Sequence, residues 1–317
     1  MKNILILLCF CLAGLSNGHA FGQVMGLPAE FGPHRWTAKV KVADEDGSPF
    51  VGANVSISYD VPPAGPDQPR YAEVKGITDA NGMFSASHTD SSLGLAITVE
   101  KSGYYATHTG HQFYYDEKNR HPNFTLQLKK IGKPIAMYAK HLNTHVPALD
   151  NPVGFDFMAG DWVAPYGKGA NTDILFSGHF DKHADGESDF TLTVSFPKVG
   201  DGIQEFTLPD AEKGSGLRSP HEAPLDGYQS QWVQTDNRKP GKPVETNRDQ
   251  NRNYFFRVRT ALDSNGNVQS AIYGKIYGDF MEFSYYLNPT PNSRNMEFDP
   301  SQNLVTNLPF DEQVRQP

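Results

Sequence analysis

The sequence predicts an all-β protein made of two antiparallel β-sandwich domains in tandem, with very little helix. Its 29 glycines, 23 prolines and 12% aromatic residues are typical of many short strands joined by turns. Apolar residues recur at every second position in short runs, which is the pattern of half-buried antiparallel strands. No stretch of roughly ten residues carries the apolar stripe and the capping residues of an amphipathic helix.

The first predicted sandwich occupies residues 37–128. Its strands appear as alternating apolar sets separated by turn-forming residues, and the Asn81-Gly82 pair favours a tight hairpin turn. The apolar sets are Ala38, Val40 and Val42; Ala53, Val55, Ile57 and Tyr59; Leu95, Ile97 and Val99; and Phe124, Leu126 and Leu128. Short strands at intervals of roughly ten residues predict a small β-sandwich.

Three segments of this region also carry a family resemblance. They are VADEDGSPFVGANV at 42–55, GITDANGMF at 76–84 and VEKSGY at 99–104. In this order they resemble the carboxypeptidase regulatory-like domain, and the match spans under a third of the chain. The resemblance implies a transthyretin-like or Ig-like sandwich. It also implies a non-catalytic packing or binding unit of the kind that accompanies secreted peptidases, outer-membrane receptors and surface proteins.

The remainder of the chain divides into a connector and a second sandwich. Residues 129–152 lose the clear alternation and are interpreted as a connector, which could itself add a strand to either domain. Residues 153–317 are predicted to form the second sandwich, with long loops at 209–226 and 235–252. Its clearest elements are the alternating strand Phe190–Phe196 and a hairpin formed by 254–262 and 268–277 around Asp263-Ser264-Asn265-Gly266-Asn267.

The N-terminus has the features of a secretory signal peptide. The apolar run Ile4–Leu15 is too short for a permanent membrane span and precedes small residues, so cleavage is expected after Ala20. Residues 21–36 then form an N-terminal segment. Cys9 and Cys11 would be removed with the signal peptide, leaving a mature chain without thiols. We therefore expect a secreted, periplasmic or cell-surface protein, and a bacterial exported compartment fits best.

Charge and motif content exclude several functions. The formal net charge is −8 and no basic cluster offsets it, which argues against nucleic acid or an anionic membrane as the partner. No histidine is followed by glutamate three positions later, so the zinc-binding pair of a metallocarboxypeptidase is missing. Beyond the signal peptide, no segment is predicted to span a membrane.

Aromatic residues beside polar groups suggest a ligand site. Trp162, Tyr166 and Lys168 lie in a loop ordered by glycine and proline, and Tyr277 and Arg294 lie in a second aromatic stretch. Aromatic faces with polar neighbours are suited to carbohydrate, because the ring stacks on sugar CH groups while the polar groups bind hydroxyls. The alternative is that Trp162, Tyr277 and Tyr285 fill the core of the sandwich.

A cluster of carboxylates around Gly186 is the candidate metal site. Asp181, Asp185, Glu187 and Asp189 lie at short odd spacings, which could supply oxygen ligands to calcium. The full calcium-loop pattern is absent, so the alternative is an acidic, solvated hairpin tip. No other cofactor is expected.

These observations predict a non-catalytic binding or assembly protein of the bacterial envelope or surface, with carbohydrate or another surface protein as its partner. The alternative is a secreted hydrolase of polysaccharide that uses carboxylates of the C-terminal domain. A purely structural surface module is a third interpretation.

Overall fold

The computed structural model describes residues 34–61, 70–113, 120–142, 146–183, 185–249 and 251–317, all of which belong to one compact unit. The predicted signal peptide and most of the segment 21–36 lie outside the described residues. The strands are β1 (His34–Ala43), β2 (Asn54–Asp60), β3 (Tyr71–Ile77), β4 (Met83–Asp90), β5 (Gly94–Glu100), β6 (Thr107–Gln112), β7 (Asn123–Gln127), β8 (Ile135–Leu142), β9 (Val153–Asp156), β10 (Asp161–Trp162), β11 (Ile174–Lys182), β12 (Ser188–Ser195), β13 (Gly202–Phe206), β14 (Gln231–Arg238), β15 (Glu245–Thr246), β16 (Asn253–Leu262), β17 (Val268–Asp279), β18 (Glu282–Leu287) and β19 (Phe298–Asn303).

The predicted all-β class is confirmed. In the described ranges the chain forms no α-helix, and its only helical turns are the 3₁₀ segments Asp210–Glu212 and Phe310–Glu312. These ranges also contain no helix long and apolar enough to cross a membrane.

The first sandwich packs a three-stranded sheet, in the order β4-β1-β7, against a four-stranded sheet, in the order β3-β2-β5-β6. Alternation places the apolar side chains of β1, β2 and β5 in one core between the sheets. Trp36 lies at one end of this core, where its indole Nε1 donates to Asp90 Oδ2 at 2.7 Å and its ring packs edge-on against Tyr59. The polar residues between the apolar ones therefore face outward.

The turn around Asn81-Gly82 forms where it was predicted, but it does not close a hairpin. Gly82 adopts φ +71°, and an added Cβ would lie 2.4 Å from the carbonyl oxygen of Val42. The strands on either side belong to different sheets, because β3 pairs with β2 whereas β4 pairs with β1. Local turn chemistry reverses the chain, while burial of both inner faces determines which strand pairs with which.

The second sandwich packs two six-stranded sheets, ordered β10-β9-β11-β12-β14-β15 and β13-β16-β17-β18-β8-β19. Its main core lies between them. The opposite face of the second sheet is covered as well, so β17 is buried on both sides: Ile272 and Ile276 face the main core, and Tyr273 and Tyr277 belong to two smaller clusters. The predicted β16–β17 hairpin is present, and Asp263 caps its turn.

The expected connector contains a strand of the second sandwich. Within 129–152, β8 pairs antiparallel with β18 and parallel with β19. Met137 and Ala139 pack on one side of the sheet, while Leu142 belongs to the main core on the other. Because both faces of β8 are covered, its sequence lacks the polar-apolar alternation that identifies a half-exposed strand.

The predicted long loop 209–226 lies against the first sandwich. The backbone N–H of His108 donates to the carbonyl of Gly214 at 2.8 Å, and Gly216 donates to Ala106 at 2.8 Å. A Cβ at Gly214 would come within 1.7 Å of the His108 carbonyl oxygen, so only glycine permits this approach. The loop thereby extends the sheet of the first sandwich beside the start of β6.

Candidate functional site

A buried carboxylate, Glu297, connects the two sandwiches. Its Oε2 accepts hydrogen bonds from the Tyr105 hydroxyl at 2.8 Å and from the Gly132 backbone at 2.8 Å. Burial by itself would raise the pKa of Glu297, but the hydrogen bonds from Tyr105, Gly132 and His221 outweigh it and hold that pKa below its ordinary value. The carboxylate is therefore ionised and fully used in holding neighbouring elements together.

His221 continues this network toward the first sandwich. Its Nδ1 lies 2.9 Å from Glu297 Oε1, and its Nε2 lies 3.1 Å from Glu45 Oε2. The imidazole ring therefore lies between the two carboxylates and bridges them. A further ion pair joins Lys129 Nζ to Glu212 Oε2 at 2.7 Å. We call Tyr105, Lys129, Glu212, His221 and Glu297 the joint.

Beside the joint lies a fully buried lysine, Lys275, which has no salt-bridge partner among the described residues. Lys275 Nζ donates to Ser219 Oγ at 3.2 Å and lies between the rings of Tyr277 and Tyr286, 4.9 and 4.7 Å from their centroids. Burial lowers the pKa of Lys275 well below its ordinary value, and the positive charges of Arg218 and Lys129 lower it further. The pair has the composition of a Ser–Lys catalytic dyad, but both side chains are fully buried, so a substrate cannot reach them.

Two buried carboxylates of the second sandwich share one arginine. Arg259 donates to both oxygens of Asp173 at 2.8 and 2.9 Å and to Asp156 Oδ1 at 2.8 Å. Burial would raise the pKa of Asp156, but backbone donors from Ala159, Asn171 and Ala170 outweigh it and lower that pKa. Arg259 and the two carboxylates together form a structural clamp.

A second arginine clamp lies near the start of the turn after β17. Arg248 bonds Asp279 Oδ2 at 3.1 Å and Asp236 Oδ2 at 3.4 Å. Asp279 Oδ1 also accepts the backbone N–H of Met281 at 2.9 Å. Asp201 accepts the backbone N–H groups of Arg259 and Thr260, and burial raises its pKa despite these bonds.

The structure separates the aromatic residues that the sequence singled out. Trp162 is half-buried and packs edge-on against Phe155 and Phe176 of the main core, while Tyr166 and Lys168 are exposed in the same loop. Tyr277 is buried in a cluster on the other face of the second sheet.

Arg294 is paired with Glu222 at 2.6 Å. The five residues of the predicted ligand site are therefore not gathered at one surface. The stacking surfaces expected of Trp162 and Tyr277 are largely used in packing.

The acidic loop forms the exposed tip of the β11–β12 hairpin. Asp181 and Asp189 stand opposite each other in register and bond to His179 and His183, each at 3.0 Å. The other two carboxylates, those of Asp185 and Glu187, lie at the turn. In the described part of the chain, no group of three or more His, Cys, Asp or Glu side chains is arranged to hold a metal ion.

A shallow groove on the first sandwich was missed by sequence reasoning. It lies on the outer face of the four-stranded sheet, has a volume of about 430 Å³, and is lined by Asn54, Val55, Ser56, Lys75, Gly76, Ile77, Thr98 and Glu100. The polar positions between the apolar residues of β2 could have indicated a polar outer face. They could not indicate that this face is concave, because that depends on the twist of three paired strands.

Comparisons with known proteins give no closer identification. No protein-family model matches the sequence, and no curated protein matches it. Chlorocatechol 1,2-dioxygenase from Pseudomonas putida matches with a TM-score of 0.26 and 11% identity over 31% of this chain and 61% of its own, which is less than two thirds. The shaft pilin spaA from Lactobacillus rhamnosus GG matches with a TM-score of 0.22 and 12% identity over 54% of this chain and 90% of its own. Structural similarity at TM-scores this low supports no inference about the function of this chain.

Proposed function

We propose that the protein is an exported, non-catalytic binding or assembly protein of the bacterial envelope or surface. One observation carries this proposal: every buried Asp, Glu, Lys and Arg side chain in the described residues is engaged by another group of the protein. These side chains are Asp90, Arg120, Lys129, Asp156, Asp173, Asp201, Asp236, Lys275, Asp279 and Glu297.

This arrangement opposes the alternative of a polysaccharide hydrolase. A glycosidase needs one carboxylic acid that is protonated and one carboxylate that faces substrate or water. The two most obvious buried carboxylate pairs, Asp156 with Asp173 and Asp236 with Asp279, each share a single arginine. In each pair the arginine occupies carboxylate oxygens that a substrate or water would have to contact, so neither pair is suited to catalysis.

Export is supported by the N-terminal sequence, where the apolar run Ile4–Leu15 and small residues before Ala20 have the form of a signal peptide. The likeness of residues 42–104 to a regulatory-like module agrees with a binding or packing role. The joint also supports a binding or assembly role. It holds the two sandwiches together, so that both would be presented to a partner in a fixed relative orientation.

The test incubates the purified chain with an insoluble bacterial envelope preparation that contains polysaccharide and surface proteins. We expect the chain to sediment with the envelope and to release no soluble reducing ends. Failure to sediment would contradict a binding or assembly role. Release of reducing ends by the wild type, lost in an Asp279→Asn variant that remains folded, would instead establish the hydrolase.

A further inference from the structure

The outer face of the first sandwich has the chemistry of a ligand site. In register across this sheet, Ser56 of β2 lies between Lys75 of β3 and Thr98 of β5, and Asn54 lies between Ile77 and Glu100. These two rows form the groove, whose volume of about 430 Å³ falls within the range of small-ligand sites. We propose that this groove binds an uncharged carbohydrate; the inference rests on the proposed binding function and names its ligand.

The floor of the groove is polar, but its hydroxyl groups are already engaged. The Ser56 hydroxyl is enclosed and contributes to the lowered pKa of Glu73. The Thr98 hydroxyl bonds His108 Nδ1 at 3.0 Å. The polar groups best placed to contact a ligand are therefore the exposed side chains of Asn54 and Glu100.

The charges around the groove disfavour an anionic ligand. Lys75 Nζ is paired with Glu73 Oε2 at 2.5 Å, and this ion pair lowers the pKa of Glu73. The carboxylate of Glu100 is then the unbalanced charge at the groove, and it would repel an anionic ligand. A molecule with many hydroxyls can donate to Glu100 and accept from Asn54 and Lys75 without adding a net charge.

One wall of the groove is apolar. Ile77 is 65% exposed although it is a large aliphatic side chain, and it lies beside Asn54 in the register of β2 and β3. Sugar rings have CH surfaces that pack against such a wall while their hydroxyls bond to polar groups. Two polar rows, a carboxylate that can accept from hydroxyls and an apolar wall together match carbohydrate better than an anion or a purely apolar ligand.

The experiment applies the full chain to an array of neutral, acidic and amino-substituted oligosaccharides and measures affinity for each bound glycan by calorimetry. We expect binding to neutral oligosaccharides and a loss of at least tenfold in affinity in Ser56→Tyr, which fills the floor of the groove. The matched control is Thr193→Tyr, because Thr193 lies between Ser177 and Val233 in the middle of a sheet of the other sandwich. This control is expected to bind as the wild type does.

A second variant keeps the inference testable if Ser56→Tyr does not fold. Glu100→Gln adds no bulk and removes a charged acceptor, so an affinity loss of about tenfold is expected. Unchanged affinity in both groove variants, preference for acidic glycans, or no glycan binding would overturn the inference. A chain that sediments with the envelope but binds no glycan would still retain the proposed binding function, so the two failures are distinguishable.

Discussion

At the scale of single residues, Lys275 has the most unusual environment. Its amine is fully buried, its hydrogen-bond partner is a serine hydroxyl, and two tyrosine rings flank it. Burial depresses its pKa, so the folded protein holds a neutral amine at pH values where the unfolded chain carries a charged one. Unfolding in that range therefore takes up a proton, and lower pH favours it.

This linkage predicts a pH-dependent difference between the wild type and Lys275→Met. From the folded pKa up to the unfolded value near 10.5, the free energy of unfolding of the wild type should rise with pH relative to the variant. The slope is at most about 1.4 kcal/mol per pH unit for one proton. Urea unfolding of both proteins at pH 7, 8 and 9 measures it, and parallel curves would contradict a neutral Lys275.

His179 gives a second prediction at this scale. Hydrogen bonds from its ring to Asp150 and Asp181 raise the pKa of this exposed histidine above 6.5. In an NMR titration we expect the ring to titrate above that value and the Asp150→Asn variant to move the midpoint down. His183, which pairs with Asp189 instead, is the internal control and should be unaffected by that substitution. A midpoint at or below 6.5 in the wild type would contradict the contacts.

At the scale of elements, the Arg259 clamp connects strand β16 with the end of β9 and the residue before β11. Removing the guanidinium leaves Asp156 and Asp173 buried without their cation. We expect Arg259→Met to lower the free energy of unfolding by about 3 kcal/mol, because uncompensated buried charge is strongly destabilising. The exposed Arg238 provides the control, and Arg238→Met should change stability by about 0.5 kcal/mol or less. Equal losses in the two variants would contradict a structural clamp.

The elements that could be predicted from sequence are those with one solvent-exposed face or with a recognisable turn between two strands. The β16–β17 hairpin was identifiable because Asp263-Ser264-Asn265-Gly266-Asn267 contains local turn chemistry. Strand β8 was not, because Met137 and Leu142 are buried on opposite faces and the alternation disappears.

The candidate site shows the same limit. Sequence identifies an aromatic residue, but only the assembled sheet decides whether it faces solvent or the core. Tyr277 belongs to an interior cluster, whereas Tyr166 of the other predicted stretch is exposed. The groove around Ser56 is formed by the three paired strands β3, β2 and β5, and its shape depends on their register. No local sequence motif therefore predicts it.

At the scale of the whole molecule, the joint determines whether the two sandwiches unfold together or separately. Glu297 accepts from Tyr105 of the first sandwich, while His221 bonds Glu297 and Glu45. The loop at Gly214 and Gly216 adds backbone hydrogen bonds to His108 and Ala106. Because these contacts are buried or close-packed, we expect both sandwiches to unfold together rather than as independent domains.

Calorimetry of the wild type and of Glu297→Leu tests most directly whether the two sandwiches unfold as one unit. The control is Glu222→Leu, which replaces an exposed carboxylate. The account predicts one cooperative transition for the wild type and for Glu222→Leu. It predicts a lower midpoint in Glu297→Leu, together with new protease cleavage between β7 and β8, because Tyr105 and His221 lose their shared acceptor. Two separate transitions in the wild type, or a Glu297→Leu variant that unfolds as the wild type does, would contradict the account.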